Sequence, residues 1–203
     1  MRAQDCLEML REIKDVAFAT VDADGKPQVR IIDVMLVEEG KLFFCTARGK
    51  SFYRELRDSG EVAVTGLNDR YQMVRLNGKA KKVKEQKERI DQIFEANPAM
   101  KEVYPVESRY ILEAFCIAEG ELEFFDLGVS PIYRASFVLG NPERYEKGFY
   151  ITEKCIQCGL CRDKCPQQCI EEGVPYKIIE EHCLHCGLCC ELCPVQAIER
   201  REL

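Results

Sequence analysis

The segments CIQCGLCRDKCP, residues 155–166, and CLHCGLCCELCP, residues 183–194, repeat one cysteine spacing in this 203-residue chain. In each copy three cysteines are separated by two residues, and a fourth follows four positions later, directly before proline. This spacing is typical of proteins with two iron–sulfur clusters, in which the fourth cysteine of one copy serves the other cluster. The predicted ligand sets are Cys155, Cys158, Cys161 and Cys193 for one [4Fe–4S] cluster, and Cys183, Cys186, Cys189 and Cys165 for a second.

Zinc, disulfides and free thiols are the alternative interpretations of these cysteines. Zinc usually takes two cysteine pairs set farther apart, and disulfide frameworks belong mostly to secreted chains. The spacing therefore favours clusters. Alignment of the two copies places Cys169 opposite Ala197 and Cys190 opposite Arg162. Neither cysteine is predicted to be a ligand, and the same holds for the cysteines in apolar segments outside the repeat, Cys6, Cys45 and Cys116.

Other residues of the repeat carry further expectations. Gly159 and Gly187 are expected to make room for an inorganic core, because a Cβ would crowd it. The proline after each fourth cysteine suits the first position of a short helix. His182 and His185 interleave with the second copy, where an N–H group near a cluster sulfur would raise the reduction potential. The alternative is that both histidines are partly exposed loop residues.

Composition and charge narrow the class of protein. A formal net charge of −6 and a sequence pI near 5.2 argue against a nucleic-acid binder, which normally shows a basic excess. The first residues lack an apolar core of the signal-peptide type, and no run approaches the ~18 apolar residues of a membrane span. A cytoplasmic protein with no membrane partner is expected. No Ser-His-Asp set or phosphate-loop lysine motif supports hydrolysis or phosphoryl transfer.

Residues 1–127 show the pattern of a mostly β domain with few helices. Runs rich in β-branched residues predict strands over 16–21, 29–37, 42–46 and 61–66, with a hairpin turn at 22–27. Residues 71–84 predict one long strand bent at Gly78, although Asn77-Gly78 is also a hairpin signal. Helices are predicted over 6–14, over 51–58 with Ser51 as the cap, and over 86–96. Residues 110–117 and 121–127 predict two further strands separated by a turn at 118–120.

The order of motifs in this region resembles the pyridoxamine 5′-phosphate oxidase-like split barrel. The motifs are ATVD at residues 19–22, GKPQVR at 25–30, KLFFCT at 41–46, the stretch 50–56, and VAV at 62–64. With this resemblance, the expected fold class is mostly β with α (α+β), an antiparallel split β-barrel followed by a small ferredoxin-like cluster domain. The predicted boundaries are 1–127 for an FMN-binding barrel, 128–148 for a linker packing on it, and 149–203 for the cluster domain.

The resemblance implies FMN at the interface of a homodimer, with the phosphate held by basic and hydroxyl side chains. The matching positions are Arg30 on a strand, Thr46 at a strand end, and Lys50 with Ser51 before a helix. Independently, a loop that offers Arg48, Lys50, Ser51 and the free N–H groups of a helix start suits a phosphate. The alternative is a solvated loop whose cations touch only water.

The combined interpretation is an FMN-dependent oxidoreductase. It would pass electrons between two [4Fe–4S] clusters and FMN, to or from a small substrate and an external electron donor or acceptor. The chain contains no Trp, whereas true pyridoxine-phosphate oxidases carry a C-terminal signature with Trp and Arg, so vitamin B6 oxidation is not expected. No catalytic residue is assigned. The alternatives are a ferredoxin-type electron carrier whose barrel only dimerises, and a redox sensor in which cluster loss unfolds the tail.

Overall fold

The computed structural model describes residues 1–141 and 146–201. These residues form two compact units, the first from Met1–Asn68, Met73–Phe124 and Ser136–Pro142, and the second from Asp69–Gln72, Phe125–Ala135 and Glu143–Leu203. Residues 142–145 of the predicted linker and residues 202–203 of the predicted cluster domain lie outside the described residues. In the described part of the chain, no helix is both long enough and apolar enough to cross a membrane.

The elements of residues 1–141 agree with most of the sequence predictions. The helices are α1 (Ala3–Ile13), α2 (Ser51–Asp58), α3 (Gln86–Ala96) and α4 (Met100–Val103), followed by a 3₁₀ turn over Val106–Ile111. The strands are β1 (Asp15–Val21), β2 (Pro27–Asp33), β3 (Leu36–Glu38), β4 (Lys41–Ala47), β5 (Glu61–Leu67), β6 (Gln72–Lys82), β7 (Leu112–Asp126) and β8 (Tyr133–Leu139). The single long strand β6 confirms the prediction of one strand over the hairpin alternative.

The strands form one antiparallel sheet with the order β2-β1-β5-β6-β7-β4-β3, and β8 pairs with β7. Because β2 and β3 are the two ends of this path yet follow one another in the chain, the sheet must curl. The prediction of one strand over 29–37 was wrong, since the chain changes partners after Asp33. Val34 N–H donates to Lys14 O at 2.9 Å, and Met35 N–H donates to Phe43 O at 2.9 Å. The curled antiparallel sheet confirms the predicted fold class.

The long strand β7 corrects a second prediction, because residues 118–120 do not form a turn. A Cβ on Gly120 would lie 2.3 Å from Asn77 O and 3.0 Å from Gly78 Cα. Glycine is therefore needed here for the close approach of β6 and β7. A glycine between two apolar runs looks the same in sequence whether it permits a turn or a close backbone contact.

The interior of the curled sheet is filled by aromatic rings. The centroid of Phe44 lies 4.7 Å from that of Phe18 and 5.9 Å from those of Phe52 and Phe115. The amphipathic helix α1 adds Leu7 and Leu10, which are fully buried. This core fixes β4 and α2, and the connection between them carries most of the predicted flavin-site residues.

The second unit contains short elements between the cysteines. They are β9 (Phe149–Ile151), α5 (Leu160–Lys164), β10 (Ile170–Glu171), β11 (Lys177–Ile178), a 3₁₀ turn over Glu180–His182, α6 (Leu188–Leu192) and β12 (Ile198–Arg200). β9 pairs with β12, and β10 pairs with β11. The prediction that Pro166 and Pro194 open helices was wrong. Each short helix instead precedes the fourth cysteine, because the residue before proline is pushed towards extended backbone.

Candidate functional site

The cysteine repeat is also a repeat of backbone conformation. Gly159 and Gly187 have φ of +81° and +83°, at the start of α5 and α6. Left-handed backbone favours glycine, and no protein atom lies closer than 3.4 Å to a Cβ built at either position. Glycine is therefore required here by the turn itself. The pairs Gln157 with His185 and Gln168 with Gln196 also share positive φ.

The eight cysteines of the repeat surround two separate cavities. The first, which we name cavity A, is lined by Cys155, Cys158, Cys161 and Cys193, with about 330 Å³ of empty space including the part open to solvent. The second, cavity B, is lined by Cys183, Cys186, Cys189 and Cys165, with about 370 Å³ measured in the same way. Each cavity thus receives three cysteines from one copy and one from the other.

Most of the remaining lining of the two cavities is apolar. Ile151, Ile156, Val195 and Ile198 border cavity A, and cavity B is bordered by a different set, Phe149, Ile170, Ile178, Leu184 and Leu188. Within residues 1–141 and 146–201, no three His, Cys, Asp or Glu side chains converge on the position of one metal ion. The ligand sulfurs line spaces bordered mainly by apolar side chains, and such surroundings influence the reduction potential of a bound cluster.

Backbone N–H groups donate to several predicted ligand sulfurs, Cys183 and Cys193 among them. Ala197 N–H donates to Cys193 Sγ at 3.1 Å, and His185 N–H donates to Cys183 Sγ at 3.4 Å. His185 thus reaches a sulfur through its main chain. The His182 ring is placed differently, because its Nδ1 lies 2.8 Å from the backbone oxygen of Ile132. Hydrogen bonds of this kind to cluster sulfurs are among the features that set a reduction potential.

Cavity B contains a fifth sulfur that sequence reasoning set aside. Cys169 lines this cavity, is 2% exposed, and places its Sγ 3.5 Å from Cys165 Sγ. The signal available in sequence was the alignment itself, in which Cys169 replaces the alanine of the other copy.

The other cysteines outside the ligand sets are hydrogen-bonded or buried within the protein. Cys190 donates its S–H to Ile198 O at 3.1 Å. Burial raises the pKa of the Cys6 thiol to about 11 and that of Cys45 to about 12. Burial also raises the pKa of Cys116. The thiols of Cys6, Cys45 and Cys116 therefore stay protonated near neutral pH, as expected of small apolar core residues.

A buried arginine lies beside the second copy of the repeat. Arg134 is 8% exposed, and its Nη1 donates to Cys183 O at 3.4 Å. Its guanidinium also lies over the Phe125 ring, 5.2 Å from the centroid. A buried cation at this position favours negative charge on nearby thiolates. The sequence offered no motif that would connect Arg134 with the cysteines about 50 positions later.

The connection from β4 to α2 brings together four of the five predicted flavin-site residues, Thr46, Arg48, Lys50 and Ser51. Ser51 is the first helical residue and not the cap, because Lys50 has the extended backbone of a cap position. No side chain caps the helix, and its first turn holds no acidic residue. The Ser51 hydroxyl accepts a hydrogen bond from Arg54 at 3.1 Å. The start of α2 therefore presents unpaired N–H groups next to the Lys50 ammonium, which favours an anion, while Arg48 donates to Tyr110 O at 2.7 Å.

Thr46 stands at the end of β4 with a hydroxyl that has no partner. Its Oγ1 is buried and makes no hydrogen bond, and the residue is opposite Glu113 in the β4–β7 pairing. Glu113 forms ion pairs with Lys82 at 2.7 Å and Arg48 at 3.8 Å. Burial alone would raise the pKa of Glu113, but hydrogen bonds from Lys82 and Tyr53 outweigh it and lower the pKa. An unpaired buried hydroxyl is costly unless a ligand completes it.

Arg30, the fifth predicted residue, is engaged within the protein. Its Nη2 donates to the Glu55 carboxylate of α2 at 2.8 Å, and its Nη1 donates to the Thr20 hydroxyl. Glu55 is buried, and the guanidinium also stacks 4.6 Å from the Phe52 ring centroid. Arg30 retains further N–H donors. Its charge, however, is already balanced by Glu55, which weakens any contribution to phosphate binding.

An open groove next to α2 does not suit a phosphate. Its lining includes Ser51 and Arg54, but also Asp22, Asp24 and Asp58. These three carboxylates repel a dianion. The fit to FMN therefore rests on the unpaired Thr46 hydroxyl, the Lys50 ammonium and the uncapped start of α2.

Comparisons with known proteins support both halves of this description. The profile of the pyridoxamine 5′-phosphate oxidase family matches residues 3–112, and the 4Fe-4S binding domain profile matches residues 149–171. A ferredoxin from Butyribacterium methylotrophicum is 50% identical over 32 residues, which are 16% of this chain and 58% of that protein. The chain thus spans little more than half the length of this curated relative.

Two solved structures illustrate the likeness of fold. A NimC/NimA family protein from Clostridium acetobutylicum superposes with a TM-score of 0.59 and 25% identity, covering 67% of this chain and 91% of that one. A heme-binding protein from Mycobacterium smegmatis gives a TM-score of 0.52 and 13% identity, and the match covers 68% of this chain and 58% of that one. The second likeness concerns fold alone. Because the first profile matches more than half of the residues, the chain belongs to the pyridoxamine 5′-phosphate oxidase family, with a 4Fe-4S ferredoxin-type region following the barrel.

Proposed function

We propose that this protein is a flavin and iron–sulfur oxidoreductase that holds two [4Fe–4S] clusters and one FMN per chain. The clusters would handle single electrons, and FMN would convert between one-electron and two-electron chemistry. A small substrate would react at the flavin, and an external carrier would supply or remove electrons. Because none of the 13 cysteines forms a disulfide, we also propose a reducing, cytoplasmic location.

The observation that carries this proposal is the distribution of eight cysteines over two cavities. Cavities A and B each combine three sulfurs from one copy with one from the other. Such an interlocked arrangement is the one expected for a two-cluster protein. Each bound cluster would cross-link the two copies of the repeat and so stabilise the second unit, whose apolar core is small.

The proposed flavin site uses the residues of this chain in distinct roles. Lys50 and the N–H groups at the start of α2 would hold the phosphate, and Ser51 would add its hydroxyl. The Thr46 hydroxyl would gain the partner that it lacks within the chain. Arg48 would contribute charge from the same connection, while Arg30 would position α2 through its ion pair with Glu55. No residue is assigned to proton transfer.

We further propose a homodimer that forms through the outer face of β2. Val29 and Ile31 are 72% and 64% exposed on this edge strand. Exposed apolar side chains on an edge strand favour association with another chain. Val29→Asp combined with Ile31→Asp should give a monomer in analytical ultracentrifugation. An unchanged sedimentation coefficient would contradict this interface.

Cofactor content tests the proposed function. Protein purified and reconstituted without oxygen should contain about eight iron atoms and about eight sulfides per chain, together with one FMN. The visible spectrum should show flavin bands over a broad iron–sulfur band. A full complement of iron without flavin, even after FMN addition, would support the electron carrier instead. Zinc in place of iron would refute the cluster assignment.

The flavin-site assignment requires a variant that leaves the fold intact. Arg30→Ala is unsuitable, because it would leave the buried Glu55 carboxylate without its cationic partner. Lys50→Ala combined with Thr46→Val should weaken FMN binding by about tenfold or more, since two polar contacts are removed. Fluorescence titration measures the dissociation constant, and Lys26→Ala on an exposed turn is the matched control. Equal affinity in both variants would show that the phosphate lies elsewhere, provided that iron content is unchanged.

A further inference from the structure

The two cavities differ at one position of the repeat. Cys169 lines cavity B beside Cys165, and the corresponding residue beside Cys193 in cavity A is Ala197. The Cys169 side chain is 2% exposed, and its sulfur is 3.5 Å from that of Cys165. The chain therefore presents one thiol more to cavity B than to cavity A.

The short distance between the two sulfurs assigns them different roles. Two thiolates at 3.5 Å would repel one another strongly in a buried site. One sulfur must then hold a proton, and cavity B already has four cysteines in the interlocked pattern without Cys169. The thiol of Cys169 is thus available as a hydrogen-bond donor, and the sulfur of Cys165 is the acceptor.

A second feature is a buried positive charge beside Cys183, a predicted ligand of cavity B. The Arg134 guanidinium is 8% exposed and donates to the backbone oxygen of Cys183 at 3.4 Å. Its positive charge is poorly screened by water at this depth. The S–H donor and the buried cation act in the same direction.

We propose that Cys169 is a positioning residue that donates an S–H hydrogen bond to the Cys165 thiolate and raises the reduction potential of the cluster in cavity B above that in cavity A. This inference rests on the proposed function, because it requires a cluster in each cavity. A donor to a ligand sulfur stabilises the reduced, more negative cluster more than the oxidised one. An electron that enters this region would then reside mainly on the cluster of cavity B.

The test is a redox titration monitored by electron paramagnetic resonance on the whole, cluster-loaded protein. The wild-type chain should show two midpoints. Cys169→Ala should lower the higher midpoint and leave the lower midpoint unchanged. The equilibrium constant for reducing the cluster of cavity B should fall by about three- to tenfold, the effect typical of losing one hydrogen bond. Tenfold corresponds to about 59 mV for one electron. Cys169→Ser keeps a donor and should retain most of the wild-type midpoint.

The reciprocal variant Ala197→Cys adds a thiol at the matching position of cavity A and should raise the lower midpoint. If this variant does not fold, the comparison of Cys169→Ala with Cys169→Ser still decides the question. Unchanged midpoints in Cys169→Ala, or equal shifts in both Cys169 variants, would overturn the proposal. Loss of iron in Cys169→Ala would also overturn it, because Cys169 would then be a ligand. Iron content of the wild-type protein reports separately on the proposed function.

Discussion

Replacing Cys193 by alanine tests how the two copies of the repeat share their clusters. Cys193 belongs to the second copy in sequence, yet its sulfur lines cavity A with Cys155, Cys158 and Cys161. Cys193→Ala should therefore damage the cluster of the first copy. Iron should fall from about eight per chain to about seven if a three-iron remnant persists, or to about four if the whole cluster leaves.

The assay combines iron and sulfide analysis with electron paramagnetic resonance of the reduced protein. Cys193→Ala should reproduce the spectrum of Cys158→Ala, which removes a ligand of the first copy, and differ from that of Cys186→Ala. Cys190→Ala is the control, because the Cys190 S–H donates to a backbone oxygen. A spectrum of Cys193→Ala that matches Cys186→Ala would refute the interlocked assignment.

The corresponding replacement of Cys165, the fourth cysteine of the first copy, must account for the extra thiol of cavity B. Cys169 Sγ lies 3.5 Å from Cys165 Sγ, close enough to replace it as a ligand after a small shift. The informative variant therefore combines Cys165→Ala with Cys169→Ala, and it should lose iron from cavity B alone. Loss confined to cavity A would contradict the assignment.

Three further predictions concern the barrel. Arg30→Ala should lower the free energy of unfolding by about 3–5 kcal/mol, because Glu55 stays buried without its partner; urea denaturation measures this, and a loss below about 1 kcal/mol would contradict a structural role for the pair. Gly120→Ala should destabilise the protein, since its Cβ would meet a backbone oxygen at 2.3 Å, while Gly49→Ala has open space around it and should not; equal melting temperatures would disprove the close approach. The lowered pKa of Glu113 stabilises the fold above its ordinary value of 4.5, and this contribution is lost as pH falls through the lower folded value. The difference in unfolding free energy between wild type and Glu113→Gln should thus be larger near about pH 6 than near about pH 3, and a constant difference would count against it.

The fold could be predicted to the extent that it depends on local periodicity and turn chemistry. The helices α1 and α3 and the long strand β6 follow from such patterns. The break between β2 and β3 does not, because it arises where the curled sheet passes the chain from one partner to another. Gly120 was misread for a similar reason, since its role depends on a strand distant in sequence.

The candidate site shows the same division between local and distant signals. The cysteine spacing predicted which sulfurs surround each cavity, because the ligand loops are local and the exchange of the fourth cysteine is a known pattern. The buried pair of Arg30 with Glu55 could not be predicted, since 25 residues separate its members. Arg134 was missed because it lies outside the motif, and Cys169 was predicted only to be a non-ligand. Their effect depends on the folded positions of their side chains.

The most direct test of the central claim is an anaerobic reductive titration of the fully loaded protein. Two one-electron clusters and one two-electron flavin should together take up about four reducing equivalents per chain. Flavin and cluster absorbance should both bleach, and the combined Lys50→Ala and Thr46→Val variant, purified without added flavin, should take up about two equivalents. Uptake of about two equivalents by the wild-type protein after FMN addition, with no flavin bleaching, would contradict the account.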